Sequence, residues 1–580
     1  MRRGLHVLIA CVVLAVTGGP VRAQEKPSPE VEALKERVSK LEAPINTGDT
    51  AWMLTSTGLV LLMVPGLALF YGGMVRRKNV LGTMMQSMVC LGLVGIQWLL
   101  FGYALAFGTT RGGLIGWDSK LLGLAGVLPA DHFAGTSIPV FVHCMYQGMF
   151  AIITPALISG AIAERVRFGP YCLFILLWAT LVYDPLAHWV WAVQEQSVNN
   201  KLYTKSAGFL GEMGAIDFAG GTVVHISAGF SALAAILVLR KRRGYPEHAM
   251  HPNSMVLTLV GAGLLWFGWF GFNGGSALGA NSLAGVALAA SQVAAAAAGL
   301  SWVAVEWLHR GKPTALGLAS GIVAGLVAVT PASGFVSPVS ALVIGVLAGV
   351  VCYAAVALKP FCKYDDSLDA FGVHGVGGFL GALLTGALAS FALWSNANGY
   401  EPKDGIELGK VAQGWATQLG VQFIAALAAA AYGFAVTLVL VKVIDLVWGF
   451  SLDAKAEGEG LDRAEHGEVG FDLGPALQEV PETPAHEPRP ATVPPNGKRH
   501  FTVVVEGPAR DELMHAWSAL CQAGPQPPAE EFRAVYPYLT TVQGNRFNFR
   551  GGDPYHLRDS LQRLFQDRLD GTAVRTHIEG

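Results

Sequence analysis

Residues 217–225 read DFAGGTVVH and place an aspartate and a histidine inside an apolar stretch of the chain. Residues 366–374 read DSLDAFGVH and repeat the same spacing between aspartate and histidine in the second half of the chain. Ionisable side chains at bilayer depth are costly, so their presence marks substrate or proton pathways. The matched segments therefore predict a pore between two related halves, lined by His225 and His374.

The composition is that of a polytopic membrane protein. Of the 580 residues, 52% are hydrophobic and only 14% are charged, so a soluble chain of this length would lack polar surface. The 71 glycines suit close packing between membrane helices. The net charge of −2 gives no indication of a nucleic-acid partner. No motif points to a metal, a nucleotide or covalent chemistry, so we expect neither a cofactor nor enzyme activity.

Hydrophobic runs predict an all-α membrane domain of eleven transmembrane helices, each near the ~20 residues that a bilayer requires. They start at about residues 51, 81, 138, 170, 217, 254, 280, 314, 338, 369 and 417. Clusters of Arg and Lys follow every second span, and basic loops face the cytoplasm. The protein is therefore expected in the inner (plasma) membrane, with its N-terminus outside the cytoplasm and its C-terminus inside.

A short internal repeat favours an inverted five-helix repeat plus one further helix. The first span ends with FYGG at residues 70–73, and the sixth ends with FNGG at residues 272–275. Five spans in each half is an odd number, so the two halves must be inverted relative to each other. A substrate site is then expected near the midplane between them.

The segments on either side of the membrane domain have distinct compositions. Residues 1–23 have the basic start, apolar stretch and small-residue cleavage site of a signal peptide. Residues 24–47 carry a heptad pattern that suits either a small coiled coil in an oligomer or an amphipathic surface helix. The predicted domains that follow are the membrane domain at 48–450, a cytoplasmic regulatory tail at 451–474 and a Pro-rich linker at 475–499.

Residues 500–580 form a soluble pattern of strands and helices in the order βαββαβ. This order predicts a small α+β domain of ferredoxin-like type in the cytosol. The predicted strands are Phe501–Glu506, Phe532–Val542, Arg546–Arg550 and Ala573–Glu579, and the helices are Asp511–Gln522 and Pro554–Leu569.

Several motifs of the membrane part, in their order along the chain, resemble the ammonium transporter family, which includes methylammonium permeases and Rh proteins. Beside residues 217–225 these are FYGG at 70–73, GAIAER at 160–165, GWFGFNGGS at 268–276, TPA at 330–332 and FGVHG at 371–375. The resemblance covers roughly residues 48–470.

The resemblance implies a role for each of eight pore residues. Trp191, Ser276 and Tyr146 match an outer ammonium-binding site, which Asp217 supports as a buried acid. Phe150 and Phe272 match two stacked rings that gate the pore. His225 and His374 match the twin histidines of a proton relay further in.

Simple chemistry agrees with these roles. A desolvated cation gains about 2 kcal/mol or more over an aromatic face, and a serine hydroxyl supplies an acceptor. A bare charge is very costly in an apolar lumen, so giving up a proton at the gate removes most of that cost. Neutral ammonia would then cross, and the proton would pass separately through the histidines. The residues leave open whether ammonia alone crosses.

The predicted function is uptake of ammonium, and two alternatives stay open. A sensor would bind ammonium in the pore and signal through the C-terminal domain. A gas channel of Rh type is disfavoured by Trp191 and the complete outer site. The resemblance also implies a homotrimer and a PII-type signalling protein at the tail. Among the remaining polar residues, His143 and His188 are expected to be structural, and Glu164 and Arg165 to pair at the cytoplasmic end.

Overall fold

The computed structural model describes most of the membrane part and the regular elements of the C-terminal part. The described residues are 45–198, 201–247, 250–397, 414–471, 500–506, 510–522, 535, 538–543, 545–550, 554–566 and 574–579. The predicted signal peptide, nearly all of the predicted N-terminal helix and the Pro-rich linker lie outside these residues. The chain divides into two compact units, Met1–Leu473 and Gly474–Gly580, which are taken separately below.

The first unit is a bundle of apolar helices, as the composition predicts. Within the described residues, ten helices are long and apolar enough to cross a membrane. In chain order the apolar helices, with the shorter α8 included, are α1 (Thr47–Met74), α2 (Arg77–Phe107), α3 (Val140–Ile162), α4 (Phe168–Trp191), α5 (Gly221–Val238), α6 (Met255–Gly275), α7 (Ser282–Arg310), α8 (Ala315–Val329), α9 (Pro338–Cys362), α10 (Phe371–Leu388) and α11 (Trp415–Trp448).

Helix α8 occupies the position of the eighth predicted span but has only 15 residues. This is shorter than the ~20 residues that a bilayer crossing requires. Its helical run stops at Val329, and Thr330-Pro331 follows directly. Proline at this point removes a backbone donor and ends the helix. The long-span count is therefore ten, with one shorter apolar helix.

Two short hairpins connect helices of the bundle. Strands β1 (Thr110–Arg111) and β2 (Ile115–Gly116) pair after α2, and β3 (Val193–Val198) and β4 (Lys201–Ser206) pair after α4. Both hairpins lie at the end of the bundle opposite to the loops that carry the arginines. We call the arginine side, defined by Arg76, Arg165 and Arg242, the basic end.

Buried ion pairs connect four loops at the basic end. Glu164 pairs with Arg76 at 3.0 Å and with Arg242 at 3.4 Å. Asp365 pairs with Arg165 at 3.0 Å and with Arg242 at 2.8 Å. Glu164 and Arg165 thus both form ion pairs, and each takes its ionic partners from other loops. Burial raises the pKa of Glu164, yet the guanidinium groups of Arg242 and Arg76 outweigh it and hold the pKa below its usual value.

Two short helices of the tail, α12 (Ala454–Glu459) and α13 (Leu461–His466), pack on the basic end. The carboxylate of Asp462 accepts a hydrogen bond from Gly82 N, in the first turns of α2, at 2.8 Å. Glu465 accepts one from Phe168 N, the first residue of α4, at 2.8 Å. Helix N-termini carry unpaired N–H groups and a partial positive charge, so carboxylates are favoured there. The tail is thereby tied to two membrane helices.

The second unit contains a four-stranded antiparallel sheet. Its strands are β5 (His500–Glu506), β6 (Leu539–Gln543), β7 (Arg546–Arg550) and β8 (Arg575–Glu579), in the order β6-β7-β5-β8. Helices α14 (Arg510–Gln522) and α15 (Pro554–Gln566) complete the chain order βαββαβ. Alternate residues of β5 and β7, such as Val503 and Phe547, are buried against apolar residues of the helices, including Trp517 and Phe565.

The boundaries of the second unit differ from the predicted ones mainly at its second strand. We predicted a strand from Phe532, but β6 begins at Leu539, and the preceding residue Tyr538 is in a helical turn. The predicted strand is wrong at Tyr538, because the apolar residues before Leu539 continue the strand pattern although the backbone there forms a turn. Residues 532–534 of the predicted strand lie outside the described residues.

Candidate functional site

The site begins at the end of the bundle opposite to the basic end, with a cavity of about 710 Å³. Its lining includes Ser276, at the C-terminus of α6, together with the carboxyl-bearing residues Asp49 and Glu195. The carboxylate of Asp49 accepts a hydrogen bond from Ala280 N at 2.8 Å and another from the hydroxyl of Ser137. Two acidic side chains at the mouth favour the approach of a cation.

Tyr146 and Ser276 form the next layer. The Tyr146 hydroxyl lies 2.9 Å from Gly271 O, 2.8 Å from Phe272 O and 3.2 Å from Ser276 Oγ. Ser276 Oγ in turn donates to Phe272 O at 2.9 Å. No sequence pattern indicated a partner for the Tyr146 hydroxyl. In the structure it joins α3 to the carbonyl groups at the end of α6, because the last carbonyls of a helix lack partners within it.

Trp191 and Asp217 are linked through the backbone. The indole N–H of Trp191 donates to the carbonyl oxygen of Asp217 at 2.8 Å, which holds the ring at the end of α4. Gly220 has φ +110°, and a side chain there would meet Val224 and approach the Trp191 ring. Glycine is therefore required beside the tryptophan both for backbone conformation and for space.

The carboxylate of Asp217 caps the start of α5. Its Oδ1 accepts from Gly220 N at 2.8 Å and Gly221 N at 2.6 Å. Its Oδ2 accepts from Thr222 N at 2.8 Å and Val223 N at 3.0 Å. One buried carboxylate thus satisfies four N–H groups, three of them in the first turn of α5, which have no partner inside the helix. Asp217 supports the segment that carries His225 rather than pointing a free oxygen at a ligand.

Phe150 and Phe272 separate this outer layer from the interior. Their rings stack with centroids 4.1 Å apart and planes at 25°, and each side chain is only 1% exposed. The Phe150 ring lies edge-on to Trp191 at 6.0 Å and to Tyr146 at 5.0 Å. The stacked pair is therefore continuous with the aromatic rings of Trp191 and Tyr146.

His225 and His374 lie beyond the stacked phenylalanines, with ring centroids 5.3 Å apart and planes at 22°. Their Nδ1 atoms are 3.3 Å apart, so one nitrogen must donate and the other accept. The Phe272 ring lies 6.1 Å from that of His225. His225 Nε2 is buried and has no hydrogen-bond partner among the described residues. The two imidazoles can share a proton while leaving ring nitrogens toward the interior.

Close crossing of α5 and α10 brings the two histidines together. A side chain on Gly229 would collide with the backbone of Gly375, directly after His374. A side chain on Gly378 would lie 3.0 Å from Cβ of His225. Small residues allow helix backbones to approach closely in membranes. The sequence spacing placed the histidines at membrane depth, and the glycine contacts bring their rings face to face.

A small, largely apolar cavity of about 10 Å³ lies beside the histidines. Its walls are aliphatic and aromatic side chains, with the two imidazoles and an indole as the nitrogen-bearing groups. They are Met63, Leu67, Phe70, Ile153, Leu157, Val224, His225, Leu265, Trp269, Phe272, Val323 and His374. Such walls offer a cation no countercharge, which makes the cavity suited to a small neutral molecule.

Trp269 is a site residue that our sequence reasoning named only within a motif. Its ring stacks on His225 with centroids 5.4 Å apart and planes at 23°. Its indole N–H donates to Thr330 Oγ1 at 2.9 Å, which orients the ring. Both residues lie in quoted motifs, residues 268–276 and 330–332, but their spacing alone does not reveal that they meet beside a histidine.

His143 and His188 lie away from the pore residues described above. His143 stacks on Phe133 at 3.5 Å and hydrogen-bonds the Tyr103 hydroxyl at 2.9 Å. His188 contacts Ala106 O and Thr110 Oγ1, each at 2.9 Å. Both imidazoles have protein partners, as structural residues do.

Comparison with known proteins identifies the family. The profile of the Ammonium Transporter Family matches residues 51–471. An ammonium transporter of Mycobacterium tuberculosis is 45% identical over 447 residues, covering 75% of this chain and 92% of that protein. Ammonium transporter Amt1 of Archaeoglobus fulgidus is 43% identical over 428 residues, covering 74% and 100%.

Solved structures agree with this match. The crystal structure of Saccharomyces cerevisiae Mep2 superposes with a TM-score of 0.64 at 37% identity, covering 72% of this chain and 89% of that one. A structure titled "Sensor Amt Protein" superposes with a TM-score of 0.63 at 29% identity, covering 72% and 98%. The predicted resemblance is confirmed: this polytopic membrane protein belongs to the ammonium transporter family.

Proposed function

We propose that the chain takes up ammonium by binding NH₄⁺ at the outer aromatic site, deprotonating it and conducting NH₃ through a twin-histidine pore. The observation that carries this proposal is one unbroken series of groups. Trp191 and Tyr146 contact the stacked phenylalanines, and Phe272 lies against His225 at the entrance of the apolar cavity.

The outer layer can replace part of the hydration of a compact cation. The faces of Trp191 and Tyr146 attract positive charge, by about 2 kcal/mol or more per ring once water is excluded. Ser276 Oγ donates its proton to Phe272 O, so its lone pairs are available to an ammonium N–H. The acidic residues of the outer cavity raise the local concentration of cations.

The gate and cavity then favour loss of a proton. A bare ammonium ion would lose its hydration in a cavity without countercharge, at a cost of many kcal/mol. Ammonia has no net charge and avoids this cost. The proton left behind passes through His225 and His374, whose Nδ1 atoms lie within 3.3 Å of each other. Imidazole suits this role because its unperturbed pKa of about 6.5 makes both protonation states accessible.

Ammonium-evoked current in proteoliposomes tests the proposal. The wild-type protein should give a saturable current that collapses in the His225→Ala/His374→Ala double variant. His309→Ala is the matched control, because His309 contacts Tyr353 and does not line the cavity. Absence of current from folded wild-type protein that still binds ammonium would refute electrogenic transport.

The alternative function is that of an ammonium sensor that signals through the C-terminal domain. It is favoured by the separate compact unit after residue 473 and by the similarity to the structure titled "Sensor Amt Protein". A sensor would bind ammonium and carry little current, and deletion of residues 500–580 would remove its signal. Under the transport proposal the same deletion leaves the pore residues and the double-variant comparison intact.

We further propose the finer organisation that the sequence predicts. The protein is an inner-membrane homotrimer with α8 as the eleventh span, a cleaved signal peptide, its N-terminus outside and its C-terminus in the cytoplasm. The inverted repeat is supported by the mirrored capping of the two histidine helices, since Asp366 accepts bonds from Ala370 N and Phe371 N near the start of α10. Chemical cross-linking in native membranes that yields no trimer would contradict the assembly.

The remaining part of the proposal concerns the cytoplasmic side. The strand order β6-β7-β5-β8, with helices after the first and third strands, supports a ferredoxin-like class for residues 500–580. The tail at 451–474 is proposed to dock a PII-type signalling protein. A pull-down with residues 451–580 that recovers no PII homologue under nitrogen-replete conditions would count against docking.

A further inference from the structure

A second polar pair lies in the membrane helices outside the pore described above. Gln97 is in α2 and Asp184 is in α4, and their side chains are 3% and 0% exposed. Gln97 Nε2 donates to Asp184 Oδ2 at 2.7 Å and also to Thr180 Oγ1 at 3.2 Å. Neither Gln97 nor Asp184 lines the cavity that contains His225 and His374. The mechanism proposed above makes no use of this pair.

The unpaired atoms of the pair point to a missing proton donor. Asp184 Oδ1 and Gln97 Oε1 are both buried and have no hydrogen-bond partner among the described residues. Asp184 Oδ1 belongs to the carboxyl group that accepts the hydrogen bond from Gln97 Nε2, and Gln97 Oε1 belongs to the amide group that donates it. Two acceptor oxygens cannot satisfy each other, whereas a proton on Oδ1 turns that oxygen into a donor. Gln97 Oε1, on the amide already bonded to this carboxyl group, is a buried acceptor that such a donor would satisfy.

The electrostatic surroundings also favour a neutral acid. Within the described part of the chain, Asp184 forms no ion pair. Its titratable neighbours in α4 are Tyr183, whose buried hydroxyl has no described partner, and His188, which bonds to Ala106 O and Thr110. In α2 the facing group is the uncharged amide of Gln97. A buried carboxylate without a countercharge is disfavoured, and protonation removes the charge.

The helix geometry next to this pair is of the same unusual kind as that at His225 and His374, which is an independent observation. Four wide turns with i→i+5 hydrogen bonding occur in the described helices: Trp98–Gly102, Ala179–Tyr183, Gly221–Ile226 and Phe371–Gly375. The last two contain His225 and His374. The first begins directly after Gln97, and the second ends directly before Asp184. Such turns are rare and concentrate at functional sites.

We propose that Gln97 and Asp184 form a proton-binding site in the membrane unit. Asp184 Oδ1 carries the proton and donates it to Gln97 Oε1, while Gln97 Nε2 donates to Asp184 Oδ2, which closes a cyclic acid–amide pair. The ligand is a proton, and the site is separate from the histidine relay. The proposal does not depend on transport of ammonium.

Infrared spectroscopy of the purified full-length protein tests the protonation state directly. We record spectra at about pH 8, well above the usual carboxyl pKa; burial raises the pKa of Asp366 to about 6, so this acid is also ionised there. The wild-type protein should show a carboxylic-acid C=O band that moves to lower frequency in D₂O. The band should be lost in Asp184→Asn and retained in the control Asp445→Asn. A band that persists unchanged in folded Asp184→Asn overturns the proposal.

A second variant tests the pairing and does not require Asp184 to be replaced. Gln97→Leu keeps the acid but removes both amide contacts, so the carboxylic-acid band should remain and shift in frequency. An unchanged band position, or its replacement by a carboxylate band, overturns the acid–amide pair. Asp184→Asn should melt close to the wild-type temperature because its amide keeps a donor at the Oδ1 position, whereas Asp184→Leu should melt lower.

Discussion

Asp217, which caps α5, allows a test of how the segment that carries His225 is held in place. Replacing Asp217 by asparagine keeps the shape of the side chain but changes one acceptor oxygen into an NH₂ donor. If the amide oxygen takes the place of Oδ1, it still accepts from Gly220 N and Gly221 N. The NH₂ group then faces the N–H groups of Thr222 and Val223. In the wild-type protein these nitrogens lie 2.8 and 3.0 Å from Asp217 Oδ2. Two donors in the first turn of α5 therefore lose their acceptor.

The magnitude follows from these counts. Hydrogen bonds to a charged group contribute about 1.5–3 kcal/mol each, so losing two of them costs roughly 3–6 kcal/mol. The loss falls on Thr222 and Val223 in the first turn of α5, three and two residues before His225. Asp366→Asn is the matched comparison, because among the described residues that carboxylate accepts two backbone N–H bonds, one on each oxygen. It should lose one bond and about half as much stability.

Thermal melting of the two variants in detergent, together with ammonium-evoked current in proteoliposomes, provides the measurement. Asp217→Asn should lower the melting temperature clearly more than Asp366→Asn and should reduce current even where the protein remains folded. If Asp217→Asn melts with the wild-type protein, or no lower than Asp366→Asn, the four-fold cap does not stabilise the start of α5 and the reasoning fails.

Three further predictions concern helix contact, the tail and pH. Gly229→Ala should separate α5 from α10 and lower both melting temperature and current, whereas Gly263→Ala, which meets open space, should do neither; equal effects would contradict the close crossing. Asp462→Ala should destabilise by about 1 kcal/mol through loss of a helix-cap bond and should speed proteolysis of the tail, with the exposed Glu468→Ala as control; identical cleavage rates would refute this. The pKa of Glu164 in the folded protein lies below its usual value of 4.5, so the stabilisation by its carboxylate is present above that value and is lost as the pH falls through the folded pKa. The melting temperature of Glu164→Gln should therefore depend less on pH than that of the wild-type protein below about pH 5. An unchanged pH dependence would contradict the assignment.

The contacts of the tail at the basic end connect it to the two helices of the proposed proton site. The tail caps the basic ends of α2 and α4 through Asp462 and Glu465. The same two helices carry Gln97 and Asp184 farther along their length. A partner that removed the tail from the basic end would thus act on the two helices that hold the proposed proton site. The proteolysis and infrared measurements can be made on the same variants. They test whether release of the tail from the basic end changes the protonation of Asp184.

Much of the membrane architecture could be read from the sequence, because a span is set by local properties. A helix satisfies its own backbone hydrogen bonds, and a bilayer dictates its length, so apolar runs reveal where helices lie. The predicted starts at about 254 and 338 agree with helices that begin at Met255 and Pro338. The eight-residue spacing from aspartate to histidine likewise identified two equivalent segments. Family membership could be predicted because the motifs and their order are visible in the sequence and require no knowledge of tertiary contacts.

Partners between distant helices could not be predicted in this way. The sequence carries no sign that the Tyr146 hydroxyl bonds the end of α6, that Glu164 and Arg165 take partners from other loops, or that Gln97 meets Asp184. These contacts depend on which helix faces approach and how closely, which is decided by small residues such as Gly229 and by the wide turns that rotate one face against the next. The sequence alone determined which residues lie at membrane depth, and only the tertiary structure decided which of them touch, because contact depends on packing between segments far apart along the chain.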